Sequence, residues 1–314
     1  MQKIVTITAN PALDCASTTP RIIAEAKLRC TDPVFEPGGG GINVSRAIKK
    51  LGGDSVAIYP AGGSTGEHLT QLLEQEGITC QPSTCATWTR QNLNVVTPND
   101  NAQYRFIMPG ASLSADEQQQ LLAQLAQHQD ADYCVISGSL AEGMPGDLVA
   151  DIVNYCQSQQ IKVIFDASGP ALEKAVAQGG LYLIKPNANE LALLTGSELI
   201  VPEELEQKAR EIINQGKAEV VLVSLGPQGA LLVSNDICEQ IVPPRVKKNS
   251  TVGAGDSMVG AVSMALAQGK TLREAARLGV AAGTAATMNH GTQLCNADDV
   301  ANLYQWILSK HPLV

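Results

Sequence analysis

Short apolar runs alternate along the chain with stretches in which apolar residues recur every three or four positions. The runs "KIVTITA", "DSVAIYPAG", "ADYCVISG", "KVIFDAS", "LYLIKPN" and "AEVVLVSLG" are too short for helices and carry the β-branched residues of buried strands. Between them, "NVSRAIKKLG", "EHLTQLLEQEG", "SADEQQQLLAQLAQHQ", "GDLVADIVNYCQSQQ", "EELEQKAREIINQG" and "DSMVGAVSMALAQG" have helical periodicity, several closing on a glycine suited to a C-cap. Strands that alternate with helices predict a mostly parallel sheet covered on both faces. In such sheets the ligand lies beyond the C-terminal strand ends.

Two stretches break this rhythm. Residues 15–36 and 87–108 alternate polar and apolar positions, and the second carries Pro-Asn-Asp-Asn between its halves, which predicts a hairpin. Alternation with little continuous apolar content predicts a small sheet with one exposed face. We expect it to form a lid that the main strands leave and re-enter.

The chain has 314 residues, 44% of them hydrophobic, and a net charge of −9, which fits a soluble globular protein and disfavours a basic nucleic-acid footprint. The start, "MQKIVTITAN", reads as a first strand, not a signal peptide, and no apolar run reaches 18 residues, so a cytoplasmic protein without a membrane span is expected. Eight scattered cysteines form no CxxC pair, which predicts reduced thiols over a disulfide framework or zinc site. "QGKTL" resembles the end of a phosphate loop, but Met264 stands at the required upstream glycine, so it reads as a helix C-cap. The run Gly38–Gly41 opens like a dinucleotide fingerprint, yet Asn43 occupies its last glycine position, which argues against a nicotinamide enzyme.

The chemistry concentrates in "NSTVGAGDSMVGAVSMALAQG", residues 249–269. Glycines before a helix allow close backbone approach, and the first helical N–H groups point outward, giving an anion hole. Asp256 stands at that helix start, placed to take a proton from a hydroxyl while amides stabilise a transferred anionic group. Taken alone, Asp256 reads better as an ordinary N-cap residue, and the other motifs must decide. "EPGGGGINVSRAIKKLGG" (36–53), "KPNANE" (185–190) and "VSLGPQGALL" (223–232) supply a glycine run, a strand-to-helix acid pair and a glycine turn between strands.

In this order, with "STVGAGDS", these segments resemble the ribokinase-like (PfkB) family of carbohydrate kinases over nearly the whole chain. The resemblance implies one α/β domain spanning 1–314: a three-layer αβα sandwich with a mostly parallel central sheet and a small β-sheet lid. "TANPALD" and "KLRC" resemble the branch that acts on sugar phosphates. The implied reaction is magnesium- and ATP-dependent phosphorylation of fructose 6-phosphate at its C1 hydroxyl, a step of glycolysis. Kinases of tagatose 6-phosphate or fructose 1-phosphate remain open, as does a sugar-phosphate-binding regulator without catalysis.

The resemblance also implies roles. Asp256 would be the base, with Gly253, Ala254 and Gly255 shaping the anion hole. Asp14, Gly39, Asn43 and Ser139 would meet the sugar. Lys185, Asn187, Ser224, Gly226 and Gly229 would face ATP, and Asn187 with Glu190 would order magnesium through water. Carbonyls of Ser250, Val252, Ala286, Asn289 and Gly291 would hold potassium, although Ser250 replaces an acid common in the family. Independently, Lys27 and Arg29 lie two apart on an expected lid strand, so both would point to one face, and with Arg90 and Arg105 they would clamp a phosphate. Exposed apolar lid positions such as Ile22, Ile23 and Phe35 would let two copies pair as a dimer.

Overall fold

The structure is a computed structural model that describes residues 2–100, 102–141, 147–198, 201–289 and 293–310. In chain order its strands are β1 (Ile4–Ile7), β2 (Ala12–Thr18), β3 (Val34–Gly38), β4 (Val56–Ala61), β5 (Thr79–Thr84), β6 (Arg90–Thr97), β7 (Ala102–Phe106), β8 (Tyr133–Ser137), β9 (Lys162–Asp166), β10 (Leu181–Ile184), β11 (Ala218–Ser224), β12 (Ala230–Val233) and β13 (Cys238–Ile241). The α-helices are α1 (Gly40–Lys50), α2 (Gly63–Gln75), α3 (Ala115–Leu125), α4 (Leu148–Ser158), α5 (Pro170–Gln178), α6 (Ala188–Leu194), α7 (Leu205–Asn214), α8 (Ala254–Ala267), α9 (Leu272–Met288) and α10 (Ala297–Lys310).

The large sheet runs β13-β12-β11-β10-β9-β8-β1-β4-β5. From β5 to β11 all neighbours are parallel, and β12 and β13 join antiparallel at the β11 edge. Its strands read as unbroken apolar runs because both faces are buried. Ile4, Val135 and Ile164 pack on the layer with α1, α8, α9 and α10, whereas Val5, Ile136 and Phe165 pack on the layer with α3, α4, α5 and α7. Each such side chain contributes about 1.5–3 kcal/mol on full burial. The sandwich has the three layers expected of the family.

The chain leaves β1 to build β4 and β5 on one side and β8 to β11 on the other. Strand order therefore reverses between β1 and β8, and a crevice opens beyond their C-terminal ends. The glycine run enters this crevice. A Cβ on Gly40 would come within 2.4 Å of Ser137 Oγ, and one on Gly41 within 2.5 Å of the Ile7 carbonyl. Only bare backbone lets α1 start this close to the strand ends.

A second sheet, β3-β2-β6-β7, carries the two alternating stretches. β6 and β7 form the hairpin, with Asp100 in the turn accepting from the Ala102 amide. Asp14 lies opposite Asn92 and Glu36, and Arg105 opposite Asn94, so one face is polar. Leu13, Cys15, Phe35, Leu93 and Phe106 occupy the other.

Two expectations need correction. Lys27 and Arg29 do not lie on a strand: residues 19–33 form an irregular connection between β2 and β3. Pro20 and Pro33, one near each end, lack the N–H a ladder needs. The premise that strand alternation points both cations to one face therefore fails. Ile22 and Phe35 are half-buried, not exposed, with the Phe35 ring 5.2 Å from the His68 ring of α2. Ile23 is exposed, as expected.

All eight cysteines are free thiols. Among the described residues no helix is long and apolar enough to cross a membrane.

Candidate active site

Gly253 adopts a left-handed conformation, φ 74°, and caps α8. Ala254, Gly255 and Asp256 follow as its first turn, where the helical hydrogen-bond pattern leaves N–H groups over. Asp256 accepts a hydrogen bond from Asn43 Nδ2 at 2.9 Å. No cation forms an ion pair with it among the described residues.

Lys185, whose charge acts on Asp256, is held elsewhere: its ammonium lies 3.1 Å from Asp166 Oδ1, both side chains being largely buried. Burial works against the ammonium, but the Asp166 carboxylate outweighs it and carries the Lys185 pKa above the usual lysine value. Burial, with the like charge of Asp166 second, raises Asp256 to about 7; the Asn43 donor, Lys185 and Arg46 oppose this. A carboxylate with that proton affinity can accept a proton from an alcohol near neutral pH.

Beside this turn opens a cavity of about 680 Å³. Lys185, Ser224, Gly226 and Gly229 line one side and Ala254 and Gly255 the other. Gly226 and Gly229 are left-handed, φ 58° and 84°, in the turn joining β11 to β12. The volume fits a nucleotide-sized ligand. Asn187 is exposed and pairs with Ser224 through an isolated bridge. It caps α6 reciprocally with Glu190: Glu190 N donates to Asn187 Oδ1 at 2.9 Å, and Asn187 N to Glu190 Oε2 at 2.8 Å.

At the end expected to meet the sugar, Asp14 sits mid-strand in β2 and accepts from Asn92 Nδ2 at 2.8 Å. Burial raises its pKa, opposed by Asn92 and by the charges of Arg90 and Arg105. Gly39 lies at φ 117° immediately before α1. Ser139 Oγ accepts from Asn10 Nδ2 at 3.3 Å, and Asn10 Oδ1 is buried without a partner among the described residues. The Arg90 guanidinium reaches the carbonyls of Asn10, Pro11 and Met108 at 3.0–3.3 Å, which ties three chain crossings between the sheets. Lys27, Arg29 and Arg105 are exposed.

The segments expected to hold potassium come together. The amides of Asn249 and Ser250 donate to the Thr287 carbonyl, and Asn289 N donates to the Ala286 carbonyl. Val252 N donates to Ser250 Oγ at 3.2 Å. Gly291 lies outside the described residues.

Sequence reading missed Asp166, an acid ending a buried strand, and the partners Arg46 and Asn10. It also missed much of the cavity wall: Pro243–Val246, Met258, Val280, Gly283, Thr284 and Thr287. The signal was the stripe of small residues in "GVAAGTAAT". Gly279 and Gly283 let α9 pack closely on α8, a Cβ at Gly283 coming 3.1 Å from the Ala254 carbonyl.

Comparison with known proteins agrees with this geometry. Residues 1–299 match the model of the pfkB family of carbohydrate kinases. The chain is 51% identical to the ATP-dependent 6-phosphofructokinase isozyme 2 of Escherichia coli K12, covering 98% of this chain and 99% of the relative. It is 33% identical to the 1-phosphofructokinase of Bacillus subtilis 168, covering 90% of this chain and 91% of the relative. A crystal structure of E. coli phosphofructokinase-2 in complex with potassium superposes with a TM-score of 0.94 at 51% identity, covering 98% of this chain and 99% of that one. The chain belongs to the pfkB family of carbohydrate kinases.

Proposed function

We propose that this pfkB-family kinase transfers the γ-phosphoryl group of ATP to the C1 hydroxyl of D-fructose 6-phosphate, giving fructose 1,6-bisphosphate. The observation that carries this reading is Asp256: partly open, held by one amide donor, at the first turn of a helix beside a nucleotide-sized cavity. Its carboxylate takes the C1 proton while the C1 oxygen attacks the γ-phosphorus. The new C1–O–P bond forms as the bond to the β-phosphate oxygen breaks, and ADP leaves. The amides of Gly255 and its neighbours, with the Lys185 ammonium, stabilise charge on the transferred group.

At the other end, Asp14, Asn43, Gly39 and Ser139 hold the sugar hydroxyls. Lys27, Arg29, Arg90 and Arg105 hold the 6-phosphate, Arg90 by fixing the sheet crossing as well as by charge. Closure of the small sheet, the lid, excludes water that would otherwise accept the phosphoryl group. Residues 1–314 then act as one catalytic domain.

Bound with the nucleotide, magnesium would neutralise phosphate charge. The residues suit it: Glu190 presents one carboxylate, with Asn187 beside it, and no cluster of three or more His, Cys, Asp or Glu exists among the described residues. That donor set fits an ion keeping most of its waters. Potassium would be held by carbonyls of the 250–252 loop and the end of α9. The kinship with a potassium-bound relative supports that site.

Fructose 6-phosphate is preferred over fructose 1-phosphate because identity to the 6-phosphofructokinase is 51% against 33% for the 1-phosphofructokinase. The exposed Ile23, Val34 and Phe106 of the small sheet and its connection favour a homodimer formed through the lid. The setting is cytoplasmic.

The test is a panel of fructose 6-phosphate, tagatose 6-phosphate and fructose 1-phosphate, each with MgATP, with and without potassium. The reading expects the highest kcat/KM for fructose 6-phosphate and higher turnover with potassium. A preference for fructose 1-phosphate would overturn the substrate assignment.

A further inference from the structure

Asn43 gives Asp256 its hydrogen bond, and a carboxamide can do so in one of its two orientations only. Flipped, Oδ1 would face Asp256 Oδ2 at 2.9 Å and repel it. The group that settles the orientation is Arg46, one helical turn further along α1. Its Nη1 lies 3.4 Å from Asn43 Oδ1, a long contact, but one that only an acceptor can satisfy. Arg46 itself has little freedom. It is 4% exposed, and Glu76, just past the end of α2, grips it from two sides, Nε to Oε2 at 2.8 Å and Nη2 to Oε1 at 2.7 Å. Its Nη1 also donates to the Pro37 carbonyl of β3 at 2.9 Å.

We infer that Arg46, braced by Glu76 and by β3, is a positioning residue that locks the Asn43 amide with its NH2 toward Asp256 and the sugar. Asn43 then offers substrate a donor, so the sugar oxygen it meets must act as an acceptor. The inference rests on the reading of Asp256 as base. Arg46 touches no reacting atom; it acts through Asn43.

The base is faced by Asp166 from the end of β9, Lys185 from the loop after β10 and Arg46 from α1. Losing the Asn43 donor disfavours the ionised base. Unlocking the amide therefore moves the acid limb of the kcat/KM profile to higher pH.

The test is Arg46→Lys, which keeps the charge and loses the fork, alone and combined with Asn43→Ala, using fructose 6-phosphate and MgATP. Expected are a fall in kcat of about tenfold, an acid limb at higher pH, and a KM for MgATP changed less than about threefold. In the Asn43→Ala background the same substitution should add less than about twofold. An unchanged limb, or fully multiplicative effects, overturns the inference. Should Arg46→Lys fail to fold, Glu76→Asp, which keeps the carboxylate charge and withdraws the brace by one methylene, must move the limb in the same direction. Asp256→Asn run alongside separates the failures: if it retains turnover, the base assignment is wrong, whereas a dead Asp256→Asn with an unmoved Arg46→Lys limb refutes the locking alone.

Discussion

The two ends of the crevice are built on different terms. At the α8 end, hydrogen bonds join Asp256, Asn43 and Arg46, and an ion pair joins Lys185 to Asp166, on elements packed into the large sheet. At the small-sheet end, Lys27, Arg29 and Arg105 stand exposed, two of them on an irregular connection. One end is organised before substrate arrives; the other has charge in place but little to hold it. The difference suits a kinase in which transition-state geometry must be fixed in advance while the phosphate handle must be captured and released.

Several changes would break or sharpen that contrast. Lys185→Met should have the largest effect on stability, because it leaves Asp166 buried without its cation. A loss of about 3–5 kcal/mol is expected, measurable by urea unfolding at pH 7.5. Stability unchanged from the parent would show that the α8 end is not held by this pair.

Arg105→Ala should act on capture instead. A rise in KM for the sugar phosphate of about tenfold, with kcat within about twofold and no change in urea midpoint, is expected. The same variant should flatten the salt dependence of kcat/KM. A fall in kcat with KM unmoved would make Arg105 part of the chemistry and erase the contrast.

A smaller effect concerns the cost of the arrangement. Asp256 is pushed up to about 7, above its usual value, so the stability linked to its protonated form is lost as pH rises through 7. Asp256→Asn removes that cost. Its Tm should exceed that of the parent by a few degrees at pH 8, with the gap closing toward pH 5. An equal or lower Tm at pH 8 would indicate that the carboxylate is not under strain there.

The contrast also decides what was legible in the sequence. The large sheet was readable because strands buried on both faces become apolar runs, and the glycine run was readable as the start of a helix, whose close approach to the strand ends emerged only in the fold. The β6–β7 hairpin was readable from its turn. The 19–33 connection was not: its alternation mimics a strand, but Pro20 and Pro33 interrupt the ladder, and position alone cannot show where Lys27 and Arg29 point. At the α8 end, Asp256 was visible as a motif, whereas Asp166 and Arg46 were hidden because their ion-pair partners, Lys185 and Glu76, lie far away in sequence. Asn187 and Glu190 were visible, but their reciprocal cap emerged only with α6 in place.

The central claim is that Asp256 takes the proton of the attacking hydroxyl. It is tested most directly by comparing Asp256→Asn with the parent in single turnover, alongside calorimetric binding of fructose 6-phosphate. The account predicts turnover reduced by about 10²–10⁴-fold with sugar affinity within a few-fold of the parent. Turnover close to that of the parent, with the sugar bound normally, would contradict it.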